Sequence, residues 1–217
     1  MFIGHFGLAL AAKRVAPRTS LGTLGAAAQW VDLLWPLLVL AGVERVRIDP
    51  GNTAFTPLDF EYYPWTHSLL LVLVWAAGFA AAYHLRTRYR RGTATVAALV
   101  ASHWVLDVLT HRPDLPLAPG SAARVGLGLW NSVPATVAVE GTVFAAGVAI
   151  YARSTRPRNR TGSWALWSLV AFLALVYASS ALAGPPPTVA AVGWAGVSLW
   201  LIVLWMAWAD RNRSAVE

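Results

Sequence analysis

Cysteine is absent from the 217 residues. That excludes disulfides, thiolate metal sites and cysteine nucleophiles, and leaves His, Asp and Glu as the protein's ligands for any metal. Charge is scarce as well: 12% of residues are charged against 57% apolar, with 12 Trp. A soluble domain of this size needs more polar surface, so the composition defines an integral membrane protein. Lysine is nearly missing too, Lys13 being the single one, and the formal charge of +7 rests on arginine. The arginines fall in short clusters between apolar runs and not in one patch, which speaks for membrane topology and against a nucleic-acid partner. A cleaved signal peptide is not expected, because Lys13 and Arg14 follow the apolar segment Met1 to Ala12 where a signal would carry its charges in front. The arginine bias, with abundant Ala, Val and Gly, suggests a bacterial source.

Six runs are long enough to span a bilayer: 21–43, 66–84, 93–111, 132–151, 163–183 and 188–208, each near the ~20 residues a hydrocarbon core requires. Met1 to Ala12 is too short and reads as a half-membrane helix. The expected fold is therefore all-α, with six transmembrane helices and a short N-terminal half-helix in one membrane-embedded domain, 1–217. Six spans put all the basic clusters on one side, at Lys13–Arg18, Arg86–Arg91, Arg153–Arg160 and Arg211–Arg213. That side, with both termini, is expected to be cytoplasmic. The longer aromatic and Pro-rich connections, 44–65 and 112–131, fall on the opposite face, where such loops often cover a site. Residues 1–151 form the metal-site portion, which holds all the ionisable groups inside the spans. The last two spans, 163–208, hold none and read as scaffold or as a contact for a homo-oligomer.

Ionisable residues inside a membrane are expensive and by default mark a site. Here they are His5, Asp32, His67, His103, Asp107, His111 and Glu140. On a helix, His103, Asp107 and His111 form one polar stripe at i, i+4 and i+8. If the half-helix is anchored at Lys13 and Arg14, His5 lies ~12 Å into the membrane and Asp32 ~16 Å. Ligand-type residues from several segments thus meet in one depth range, which argues for a metal. His and carboxylate without thiolate suit zinc first. His103 and His111 stand ~12 Å apart along the helix, so one ion does not take both. A one-metal site would use His103, Asp107 and one or two of His5, Asp32 and His67, while a two-metal site would add His111.

The chain also resembles a known family. Gly4-His5, Asp32 followed by Pro36, Thr66-His67-Ser68, and Ser102-His103 with Asp107 and Thr110 are similar, in order and spacing, to the YdjM-like bacterial inner-membrane proteins. These are described as LexA-regulated metal-dependent hydrolases, distantly similar to zinc-dependent phospholipases C and single-strand nucleases. The resemblance covers residues 1–112 and implies His5, Asp32, His67, His103 and Asp107 as metal ligands. Leu34 and Trp35 stand where the family typically has a second Asp and a His. Tyr62, Tyr63 and Pro64 replace a His-Arg-Gly before Thr-His-Ser. These departures imply fewer metals than a full cluster.

The expected function is a membrane-embedded, zinc-dependent hydrolase that takes a lipid-like substrate, a phosphoester by family analogy, from the outer face. Glu140 or His111 would serve as general base or acid. Competing readings from the same residues are a proton or divalent-metal transporter and a structural metal site.

Overall fold

The computed structural model describes residues 1–182 and 184–216; Ala183, where the fifth apolar run ends, lies outside them. The short first element is a helix, α1 (Ile3–Val15), longer at its basic end than the sequence suggests. The first apolar run forms α2 (Leu21–Ala28) and α3 (Trp30–Leu40), and not one straight span: the pair bends by 57° at Gln29. Proline does not cause this bend, since Pro36 lies inside α3. After the hairpin β1 (Arg45–Ile48) and β2 (Leu58–Tyr62) comes the single turn α4 (Pro64–His67), then α5 (Leu69–Thr87) and α6 (Arg90–Thr110). A small hairpin, β3 (Leu115–Pro116) with β4 (Arg124–Val125), leads to α7 (Val133–Ser154), strand β5 (Thr155–Pro157) and α8 (Arg160–Leu182). The chain closes with α9 (Val189–Val197), α10 (Leu199–Arg211) and β6 (Arg213–Ala215), which pairs antiparallel with β5.

Helix starts follow local chemistry. The side chains of Ser20, Ser68, Ser132 and Thr188 accept the first free N–H groups of α2, α5, α7 and α9, which satisfies donors that have no partner within the helix. Among the described residues five helices are long and apolar enough to cross a membrane, or six with the bent pair counted as one, α9 and α10 together forming the last. Their outward faces carry Leu70, Leu73, Val105, Trp164, Leu175 and Leu204 exposed. In water such a surface would aggregate, whereas in lipid it is the appropriate solvent contact. The chain is thus an all-α multi-pass membrane protein.

Buried at the centre is α1, packed on α7 and flanked by α2 and α6. Gly7 and Gly147 make this approach possible: a Cβ on Gly7 would stand 2.6 Å from the Val143 oxygen, and one on Gly147 would collide with the Gly7 carbonyl. Small residues let helix backbones approach closely where no hydrophobic force drives them together. At the basic end, Asp210 ties three elements together. Its Oδ2 meets Lys13 Nζ at 2.7 Å and accepts the Leu21 N–H at 3.0 Å, and its Oδ1 accepts the Tyr151 hydroxyl at 2.9 Å. At the opposite end the two connections are joined, the Phe55 N–H donating to the Trp130 carbonyl at 2.9 Å. Arg112 also pairs there with Asp59.

Candidate metal centre

His103 and Asp107 lie on the buried face of α6, each 1% exposed. His111 does not continue their helical stripe, because the helix ends at Thr110 with His111 as its extended cap, although it lines the same cavity as Asp32, His67 and Asp107. Around the stripe, α1 brings His5, the first turn of α3 brings Asp32 and α4 brings His67. Five of the seven intramembrane residues named from sequence therefore converge.

The distances are those of a tight donor set. Asp107 Oδ2 faces His103 Nε2 at 3.1 Å and His67 Nε2 at 3.9 Å, while Asp107 Oδ1 faces His5 Nε2 at 3.1 Å. Asp32 Oδ1 is 3.3 Å from His67 Nε2, and Asp32 Oδ2 is 3.6 Å from His103 Nε2. The His5 and His103 rings stack with centroids 3.7 Å apart. Asp107 Oδ1 also meets the Met1 nitrogen at 2.6 Å.

Outer partners fix the tautomers of two of these imidazoles. His103 Nδ1 lies 2.7 Å from the Ala28 carbonyl, which can only accept, so Nδ1 carries the hydrogen. That carbonyl is free because the helix breaks at Gln29 and leaves it without its intrahelical donor. The Thr66 hydroxyl donates to Glu44 Oε2 at 2.7 Å and lies 2.7 Å from His67 Nδ1. With its hydrogen committed to Glu44, the hydroxyl accepts from His67 Nδ1–H. Both rings, when neutral, then turn a bare Nε2 toward carboxylate oxygens. Lone pair against lone pair is repulsive, and a cation between them removes the repulsion.

Two observations fit that cation to a metal. His103 Nε2 is buried without a hydrogen-bond partner, so neither nearby carboxylate oxygen stands in hydrogen-bonding alignment. Asp32 stands 3.3 Å from His67 through Oδ1 and 3.6 Å from His103 through Oδ2, near the ligand spacing of about 3.3 Å in a tetrahedral zinc site with bonds of about 2 Å, and one donor atom from each of the three residues lies within 4.8 Å of the others. Two overlapping triads arise, His5/His103/Asp107 and Asp32/His67/His103, each within 4.8 Å. They share His103, whose other nitrogen is committed to Ala28, so the arrangement suits one ion and not two. Imidazole and carboxylate donors without sulfur suit zinc ahead of softer metals.

Glu140 and His111 occupy different positions. Glu140 Oε2 accepts the N–H groups of Phe2 at 2.7 Å and Gly4 at 3.4 Å, capping the start of α1, while its Oε1 is buried and unpartnered. His111 Nδ1 is 2.9 Å from Asp114 Oδ1, which also accepts the Tyr63 hydroxyl at 2.9 Å. Burial first, and then the Asp114 carboxylate beside it, push the Tyr63 pKa up, so the hydroxyl remains a donor. Neither Glu140 nor His111 belongs to a ligand triad. Glu44, 1% exposed, belongs to the site's support although the sequence gives no sign of it, since it lies just past an apolar run.

A cavity of 420 Å³ opens beside Asp32, His67 and Asp107. Phe55, Thr56, Phe60 and Trp130 of the two connections line its outer part. Phe172, Val176 and Ser180 of α8, with Gly196, Leu199 and Ile202 of the last span, form a wall. Both of the last spans, which hold no ionisable residue, thus contribute apolar lining to the cavity.

Fold and site together define a multi-pass membrane protein whose buried His/Asp set has the geometry to hold a metal ion. A family model described as YdjM inner membrane protein matches residues 64–184. That is more than half of the chain, and the protein belongs to this family of the inner membrane. The matched region includes His67, His103 and Asp107, and leaves His5 and Asp32 outside. No curated protein and no solved structure matches the chain.

Proposed function

We propose that the protein is a metal-dependent hydrolase of the inner membrane that acts on a lipid-like substrate reaching it from the face opposite the basic clusters. The observation that carries the reading is the pair of tautomer-fixed imidazoles, His67 and His103, turned on Asp32 and Asp107 beside a largely apolar cavity. Zinc is the first choice of ion, held by Asp32, His67 and His103 with Asp107 and His5 against them. Bound there, a divalent cation supplies Lewis-acid polarisation of the scissile bond and acidifies water.

The chain's own groups do the rest. Glu44 and Thr66 hold His67 in register, and the Ala28 carbonyl does the same for His103. Trp35 and Trp130 line the cavity, and their indole N–H groups are buried without partners. Glu140 and His111 both line the cavity, and His111, its Nδ1–H held by Asp114, keeps a bare Nε2 that can accept a proton. The stripe Phe172, Val176 and Ser180, spaced i, i+4 and i+8, offers an apolar wall about 12 Å long for a chain. A molecule with a polar head and a hydrocarbon tail fits both parts. Family analogy puts phosphoesters first among the bonds, ahead of carboxylic esters and amides. The positive-inside rule favours the cytoplasm for the basic end, where α10 closes, while the amino terminus lies at the metal centre, its nitrogen on Asp107 Oδ1.

The test is turnover of fluorogenic phosphoester and ester lipids by zinc-loaded protein, beside Val176→Trp. The expected result is zinc-dependent cleavage that Val176→Trp abolishes while metal content stays intact. No cleavage of any class by fully loaded protein, with ion flux in vesicles instead, would favour transport.

A further inference from the structure

Two further cavities meet at the basic end, away from the metal centre. One, of 640 Å³, is an apolar groove. Leu8, Ala11, Ala12 and Val15 wall it from α1, at i, i+3, i+4 and i+7, and Ala94, Ala98 and Ser102 face them from α6. From Arg91 to Ser102 the α6 side runs about 16 Å. The other cavity, of 380 Å³, is a chamber bounded by Lys13, Pro17 and Ser154. Arg14, Val15 and Arg91 belong to both, so the chamber is the mouth of the groove.

Among the described residues the charge at this mouth is uncompensated. Lys13 is held by Asp210 and by the Thr19 carbonyl, but Arg14 and Arg91 are exposed and neither guanidinium has an ion-pair partner among the described residues. Among the described residues no Asp or Glu lines either cavity. A basic chamber joined to an apolar groove is complementary to an amphiphile with an anionic head. We propose that it binds an anionic phospholipid of the leaflet at the basic end, its phosphate against Arg14 and Arg91 and one acyl chain along α1 and α6. Guanidinium matches phosphate oxygens in paired hydrogen bonds. The zwitterionic head of phosphatidylcholine would bring a second cation against the same two arginines. The lipid would also brace α1, which carries His5, against α6, which carries His103 and Asp107, and so support the metal centre without being its substrate.

Native mass spectrometry of the full chain in mild detergent tests this, with phosphatidylglycerol and phosphatidylcholine of matched acyl chains. The expected preference for phosphatidylglycerol is on the order of tenfold. Arg14→Gln with Arg91→Gln should abolish it. Arg86→Gln with Arg158→Gln, which removes the same charge elsewhere on the basic end, should leave it intact. Ala98→Trp should fill the groove and weaken retention with no change of charge, and Ala94→Leu is the second choice if that variant does not fold. Equal retention of the two lipids by the parent, or equal loss in both arginine pairs, would overturn the proposal. So would full displacement by inorganic phosphate at the lipid's concentration, because the groove would then contribute nothing. Metal content, measured on the same samples, belongs to the hydrolase reading and is decided separately.

Discussion

Replacing Thr66 by Val keeps the shape of a fully buried residue and removes one oxygen. That oxygen donates to Glu44 Oε2 at 2.7 Å and stands 2.7 Å from His67 Nδ1. Without it, Glu44 keeps only the Thr66 N–H, at 3.0 Å on its other oxygen, and His67 Nδ1–H has no partner. A buried polar group left unsatisfied costs ~1–3 kcal/mol, so the two together should cost about 2–6 kcal/mol of stability. Because the same hydroxyl fixes the ring that presents Nε2, metal affinity should fall as well, by roughly 10–100-fold for the loss of an outer partner. The assay is zinc competition against a chromophoric chelator on stripped protein, with the thermal midpoint recorded in parallel. Thr95→Val is the control, since its hydroxyl donates only to the Arg91 carbonyl of its own helix at 2.8 Å. It should leave affinity untouched. Lower stability in Thr66→Val with unchanged zinc affinity would refute the reasoning, for the bond would then hold the fold and not the ligand.

Two more predictions concern the scaffold that brings the ligands together. Gly147→Val places a side chain against the Gly7 backbone and should separate α1 from α7, costing at least ~1–3 kcal/mol as overpacking. It should also lower metal occupancy through His5 and Glu140, and a thermal midpoint and zinc content equal to the parent's would contradict this. Asp210→Ala strands Lys13, whose side chain is 8% exposed, and breaking a pair so buried should cost about 3–5 kcal/mol. Unchanged stability on thermal unfolding would contradict it.

How much of this was legible in the sequence differs from element to element. The spans were, because ~20 apolar residues have few other uses. The convergence of Asp32, His103 and Asp107 could be anticipated from depth alone, since carboxylates and imidazoles inside a bilayer need one another. The break at Gln29 could not: no proline or glycine stands at the bend, and a single Gln in an apolar run carries no signal of it. Yet that break frees the carbonyl which orients His103. Glu44 escaped for the opposite reason, being an acid outside a span, where acids are ordinary. His111 shared its stripe with His103 and Asp107 only as long as the helix was imagined to continue. The Glu140 cap on α1 required knowing that α7 and α1 touch, which their glycines permit but do not announce.

The measurement that tests the central claim most directly is elemental analysis of the detergent-purified protein, after zinc has been offered and excess removed, beside His103→Ala and Asp32→Asn. The account predicts close to one zinc per chain in the parent and a loss in both variants, with His103→Ala the lower because both triads draw on it. A parent that retains no divalent metal would contradict it, and the facing imidazoles and carboxylates would then be holding protons.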